Sequence, residues 1–240
     1  MDWFESWFDS PYYHLLYKNR DEKEARLFIT KLIKYLNITK GSKIIDIACG
    51  KGRHATYLNK KGMNVVGIDL SKESIRIAKV NENKTLQFIV HDMRNTFSEN
   101  TFDIATNLFT SIGYFEKGSD EQKAINAMAS NIKNGGLLII DFMNVKKAIH
   151  NLIKQEEKTV EGVSFKIKRK IEKGYIIKEI SCSDKGKNHK FQEQVRILTL
   201  IDFANLIKKS GLKIIDTFGC YKLKDFNVLE SDRLILICKK

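Results

Sequence analysis

The sequence predicts an α/β fold: a Rossmann-like, mostly parallel seven-stranded sheet with helices on both faces, carrying a small antiparallel β insertion. Three observations predict it. Strand-length apolar runs alternate with helical stretches between residues 21 and 143, a glycine-broken turn follows the first run, and apolar/polar alternation takes over between 160 and 198.

The elements follow in order. Residues 21–36 place Ala25, Phe28, Ile29, Leu32, Ile33 and Leu36 three and four apart, the stripe of an amphipathic helix. Residues 43–48 (KIIDIA) read as a buried strand, broken by Gly50 and Gly52 before a helix over 53–61. A strand over 64–70 leads to a helix opened by Ser71, with Glu73 in the first turn favouring the helix dipole. Strands over 86–91 and 102–108, a helix over 119–132 and a strand over 137–143, after a break at Gly135 and Gly136, continue the alternation. Right-handed crossovers then give parallel pairing.

Residues 160–198 change period, with Val163, Phe165 and Ile167, then Tyr175 and Ile177, then Val195 and Ile197 alternating with polar positions. A helix over 200–210 and strands over 212–218 and 233–239 close the pattern, the last two near enough to pair as a hairpin. Two units are expected: 1–150 with 199–240 as the main domain, and 151–198 as the insertion.

Composition narrows the class. The chain has 240 residues, 42% hydrophobic and 30% charged, which fits one globular domain with a substantial core. Its longest apolar runs are strand-length and cannot cross a bilayer, and the acidic, aromatic start MDWFESWFDS is unlike a secretory signal. Cys49, Cys182, Cys220 and Cys238 stand apart without metal-ligand spacing, so reduced thiols, a cytoplasmic location and no bound metal are expected. The net charge of +13 raises the question of nucleic acid. Lysine supplies most of that charge and is spread along the chain, which argues against a dedicated basic face.

The chemistry concentrates after the first strand. Gly50 and Gly52 allow a sharp turn and a close approach to a ligand, ahead of a helix N-terminus. Asp69, at the end of the second strand, can accept from both ribose hydroxyls of an adenosine, which NAD and S-adenosylmethionine share. Asp46 separates the two, because a carboxylate beside the loop repels a pyrophosphate and attracts a cationic amino-acid moiety, although it can instead cap its own loop. Asp92, followed by Met93, ends the third strand and offers an acceptor for an adenine amino group; in a parallel sheet these strand ends converge.

The segments DIACGKGRH, VVGIDLS, HDM and NLFTSIGYF resemble the successive motifs of class I S-adenosylmethionine-dependent methyltransferases, particularly small-molecule members with an insertion after the fifth strand. The resemblance implies that Cys49, Gly50 and Gly52 border the donor, that Asp69 with Leu70 holds its ribose, and that Asp92 with Met93 holds its adenine. Asn107 and Leu108 would lie beside its methionine part. Cys49 stands where many members carry glycine. An aromatic cap ahead of the sheet would supply Tyr17 near the sulfonium and Arg20 near the donor carboxylate.

Transfer from a sulfonium needs mainly alignment, and a general base only if the acceptor arrives protonated; Tyr13, His14, Tyr114 and His189 are the candidates. The acceptor is expected to be a small molecule, enclosed by the cap, the loop of residues 110–115 and the insertion acting as a lid, in a monomer or homodimer. Three rival functions share parts of the pattern: a non-catalytic donor-binding protein, a nucleic-acid methyltransferase and an NAD-dependent oxidoreductase. The single proline, Pro11, excludes the Pro-Pro-aromatic and Pro-Cys motifs of amino-group and cytosine C5 nucleic-acid methylation.

Overall fold

The computed structural model describes residues 7–18 and 22–240. Arg20, Trp3 and Phe4 lie outside them.

Seven strands form the main sheet: β1 (Lys43–Ile47), β2 (Asn64–Asp69), β3 (Leu86–Val90), β4 (Phe102–Asn107), β5 (Ile132–Met143), β10 (Lys213–Phe218) and β11 (Arg233–Lys239). Their order is β10-β11-β5-β4-β1-β2-β3. β1 to β5 pair in parallel, and β11 runs antiparallel between β5 and β10. The strand order reverses at β1 and β4, the place where a doubly wound sheet opens a ligand crevice at its carboxyl edge.

Alternation along each strand divides the core between two faces. Ile45 and Ile47 of β1 and Leu138, Ile140 and Phe142 of β5 pack with the helices α5 (Gly118–Asn131) and α7 (Leu200–Lys209). Ile44 and Ile139 face the other way, onto α2 (Glu22–Tyr35), α3 (Arg53–Lys60) and α4 (Lys72–Ala78). The helical stripe expected for residues 21–36 is the buried face of α2, with Phe28, Ile29 and Leu32 each at most 2% exposed. The Ser71 hydroxyl caps α4 by accepting from the Ser74 N–H at 3.0 Å.

One local expectation fails at Gly135 and Gly136. The strand does not restart there: β5 runs from Ile132, absorbing both glycines, with Gly135 at φ +80° and a register shift opposite Phe102 and Ile104. A Cβ at Gly136 would come within 2.9 Å of the Asp103 and Lys133 carbonyl oxygens, so the glycines permit a bulge and not a break. A short helix, α6 (Val145–His150), also precedes the insertion.

The insertion is a four-stranded antiparallel sheet, β6 (Gln155–Val160), β7 (Val163–Glu172), β8 (Tyr175–Asp184) and β9 (Lys187–Arg196), in that order. It starts five residues before the expected alternation, because β6 exposes nearly all of its side chains and so carries no apolar period. Its apolar face, Val163, Phe165, Ile167 and Ile180, packs on Trp7 and Leu16 of the amino-terminal segment, whose described helix is α1 (Pro11–Leu16). This third cluster joins cap and insertion into one layer.

Candidate functional site

A cavity of about 480 Å³ opens at the carboxyl ends of β1, β2, β3 and β4. Its floor carries Cys49, Gly50, Gly52, Asp69, Leu70, Asp92, Met93 and Leu108, and its roof carries Tyr13, His14, Tyr17 and Tyr114. Most residues singled out from the sequence therefore share one space. Asp46, Asn107 and His189 are not among its lining residues.

The glycine loop is built from left-handed backbone at Ala48 (φ 58°), Gly50 (φ 54°) and Gly52 (φ 76°). The two glycines are needed for different reasons. A Cβ on Gly50 would meet nothing within 4 Å, so that position is open toward the cavity. A Cβ on Gly52 would lie 2.4 Å from the Phe88 ring, so Gly52 serves the packing of loop against β3. Cys49 is buried, and its Sγ would sit 2.9 Å from a Cβ on Gly67, so this cysteine fills space that a β2 glycine leaves.

Asp69 is braced by both neighbours. Its Oδ2 accepts from the Gly50 N–H and its Oδ1 from the Ser71 N–H, each at 2.8 Å. Burial still outweighs these two donors and raises its pKa above the ordinary carboxylate value. A carboxylate has about four lone-pair sites, so acceptor capacity remains for a ligand diol.

Asp92 carries a partner that the sequence did not suggest. Arg94 donates to it from Nη2 at 2.7 Å and from its backbone N–H at 2.9 Å, and also reaches Asp120 at 3.3 Å. Burial alone would raise the Asp92 pKa, but the guanidinium and N–H win and hold it below the ordinary value. It stays an anionic acceptor.

Asp46 is buried and is not among the residues that line the cavity. It is 1% exposed and accepts from the Thr106 hydroxyl at 2.8 Å, while its Oδ2 has no hydrogen-bond partner. Through Thr106 it ties β1 to β4 beneath the glycine loop. Burial is the main cause that pushes its pKa up to about 7. Asn107 is also wholly buried, tying β4 to β1 by donating to the Ile47 carbonyl at 3.0 Å. Both hold the crevice together from beneath.

In the roof, the Tyr17 hydroxyl donates to Glu193 of β9 at 2.7 Å and also contacts Lys178 of β8. Burial and the Glu193 charge raise the Tyr17 pKa far above its ordinary range, so it remains a neutral phenol. Tyr13 packs edge-on against Phe8, and Phe8 against Tyr114. His189 lies outside the cavity lining, where it pairs with the Tyr12 hydroxyl at 3.0 Å and stacks on Phe191, on the insertion side of the cap. Among the described residues, none between 151 and 198 lines the cavity, so the insertion backs the cap and does not itself touch the enclosed space.

The sequence missed Phe109, Arg53 and His54, which also line the cavity. Phe109 directly follows two recognised positions, but its place depends on a left-handed φ of 68° that its residue type does not announce.

Residues 38–204 match a family model described as a methyltransferase domain. The chain belongs to the methyltransferase family. This methyltransferase is 28% identical over 210 residues, 86% of its own length and 74% of the other's, to an uncharacterised protein of Methanocaldococcus jannaschii. It spans 51% and 46% of the length of two putative methyltransferases, of Geobacillus and Bacillus subtilis. Two solved structures share its fold: an S-adenosylmethionine-dependent methyltransferase of Clostridium acetobutylicum (TM-score 0.80, 22% identity, 95% of each chain) and CalS10 (TM-score 0.71, 16% identity, 95% of this chain and 96% of that one). CalS10 is an amino pentose methyltransferase of Micromonospora echinaspora, solved with S-adenosylmethionine bound. No helix among the described residues of this chain is long and apolar enough to cross a membrane.

Proposed function

We propose that the enzyme transfers a methyl group from S-adenosylmethionine to a small molecule held beneath the aromatic cap. The observation that carries this reading is the shared cavity, with donor-type groups on its floor and Tyr13, His14, Tyr17 and Tyr114 in its roof. The open edge at Gly50 and the doubly braced Asp69 fit a nucleoside whose ribose is bound through its hydroxyls. Asp92 and Met93 would hold the adenine, and Leu108 and Phe109 would lie beside the amino-acid end.

Bound S-adenosylmethionine supplies an electrophilic sulfonium methyl group. The residues of this chain then have to orient, exclude water and, for a protonated acceptor, take a proton. Tyr13, His14 and Tyr114 are the candidates for the last task, a reading supported by their lining the cavity. The Tyr17 phenol, kept neutral by burial and the Glu193 charge, is not a base at neutral pH and would lie near the donor sulfonium.

The amino-sugar activity of the structural relative CalS10 supports amines on sugars as the first acceptors to try. The cysteines, none of them in a disulfide, support a reducing, cytoplasmic setting. Isothermal titration with S-adenosylhomocysteine and NAD tests the donor, with binding of the first and not the second expected. Transfer of label from the methyl-labelled donor to a panel of amino sugars and other small amines, set against a defined oligonucleotide, tests the acceptor. Label appearing only in the oligonucleotide would overturn the small-molecule reading.

A further inference from the structure

The wall of the cavity after β4 is held in an uncommon conformation. Phe109 and Thr110 are consecutive non-glycine residues in left-handed backbone, at φ 68° and φ 59°. For a β-branched residue such as Thr110 this is a true outlier, and such backbone persists only where its surroundings impose it. Both residues line the cavity.

What imposes it lies on the far strands. Asp141 of β5 is wholly buried, accepts the Phe109 N–H on its Oδ2 at 2.9 Å, and accepts the Thr110 N–H on its backbone carbonyl at 2.9 Å. Arg233, at the start of β11, donates from Nε to Asp141 Oδ1 at 2.7 Å and from Nη2 to the Thr110 hydroxyl at 3.0 Å. Tyr221, in the β10–β11 connection, donates to Asp141 Oδ2 at 3.0 Å and stacks on Phe109 with ring centres 6.2 Å apart. The Arg233 guanidinium lies over both rings, at 5.7 and 5.5 Å. Neither Asp141, Tyr221 nor Arg233 lines the cavity.

A buried ion pair is weak support for stability by itself and is best understood through what it specifies. Here it specifies the turn: every hydrogen bond named above ends on Asp141, Phe109 or Thr110. We propose that Asp141, Arg233 and Tyr221 are positioning residues that fix the Phe109–Thr110 wall against the amino-acid end of the methyl donor. The proposal rests on the placement of that end beside β4. The terminal hairpin thereby takes part in donor recognition from behind the cavity.

The test compares two ligands that differ at that end. S-adenosylhomocysteine carries the amino acid; 5′-methylthioadenosine keeps adenine and ribose and lacks it. Arg233→Lys keeps a charge beside Asp141 but loses the fork that reaches Thr110, and Tyr221→Phe removes one hydroxyl and leaves the ring. By titration calorimetry, Arg233→Lys should weaken S-adenosylhomocysteine about tenfold and Tyr221→Phe less, with methylthioadenosine affinity unchanged in both. In a Thr110→Gly background, where position 110 no longer adds to the cost of the left-handed turn, Arg233→Lys should have a smaller effect. Equal weakening of both ligands would mark general loosening and overturn the proposal, as would unchanged affinity for both. Failure of the unaltered enzyme to bind methylthioadenosine would overturn the donor placement and the proposal with it.

Discussion

The Gly50 N–H donates to Asp69 Oδ2 at 2.8 Å, so the glycine loop after β1 and the carboxylate after β2 form one hydrogen-bonded unit. Asp69 is therefore both a ligand candidate and a brace. Asp69→Ala should abolish most donor affinity, through loss of ribose acceptors at about 1.5–3 kcal/mol each, and should also lower the melting temperature by a few degrees as the Gly50 and Ser71 N–H groups lose their partner. Calorimetry with S-adenosylhomocysteine and thermal unfolding measure the two effects. Wild-type affinity in the variant would remove Asp69 from the donor site.

The two loop glycines should separate binding from folding. Gly52→Ala forces a methyl group to 2.4 Å from Phe88 in left-handed backbone, which predicts a loss of about 2–4 kcal/mol from overpacking and φ strain together. Gly50→Ala carries only the φ strain, about 1–2 kcal/mol, because its Cβ meets nothing within 4 Å. Gly50 itself lines the cavity, so Gly50→Ala should weaken nucleoside binding more than its stability loss suggests. Denaturant unfolding beside calorimetry distinguishes the pair, and equal stability losses would contradict the assignment.

The raised pKa of Asp46 gives a pH dependence with a definite sign. Its folded value of about 7 lies above the ordinary 3.8, so between those values the unfolded chain gives up this proton while the folded one keeps it. The stability contribution of Asp46 falls as pH rises through that window and is flat above it. Asp46→Asn removes the titration, so the fall in unfolding free energy from pH 5 to pH 8 should shrink by about 2 kcal/mol relative to the parent. Parallel profiles for the two proteins would show that Asp46 ionises normally.

The fold was legible because its signals are local. Strand-length apolar runs such as residues 43–48 and 137–143, and the stripe on α2, mark buried elements, and the structure divides the side chains of those runs between the two sheet faces. The floor of the site was legible through residue types that only special backbone or hydrogen bonding explains: Gly50, Gly52, Asp69. What the sequence hid depends on register between distant strands. Asp141 and Arg233 are 92 positions apart and meet only because β5 and β11 pair antiparallel. Asp46 and His189 show the complementary limit: residue type names the chemistry, but not whether the side chain reaches the cavity surface, which neither does.

The cap should depend on Glu193. Three groups converge on this side chain: the Trp7 indole N–H at 2.7 Å, the Tyr17 hydroxyl at 2.7 Å and the Lys178 ammonium at 3.4 Å. Its side chain is 14% exposed and that of Lys178 is 15%, so little water can replace a lost partner. Glu193→Ala leaves all three groups facing an emptied place and should cost about 2–4 kcal/mol at the seam between cap and insertion. Glu193→Gln keeps an acceptor for Trp7 and Tyr17 and should cost less. The sheet core and Cys49 of the glycine loop belong to other packing clusters, so the loss should be local. Hydrogen exchange should therefore rise in residues 7–18 and in β8 and β9 of Glu193→Ala, while β1 and β4 stay protected and methylthioadenosine binds as before. Replacing residues 158–192 with a short Gly/Ser linker takes the same idea to its end: it strips Trp7 and Leu16 of their apolar partners, and should abolish transfer to the acceptor while nucleoside affinity stays within a few-fold. Exchange that rises uniformly across the protein, or full transfer activity after the linker replacement, would show that the insertion does not hold the cap over the site.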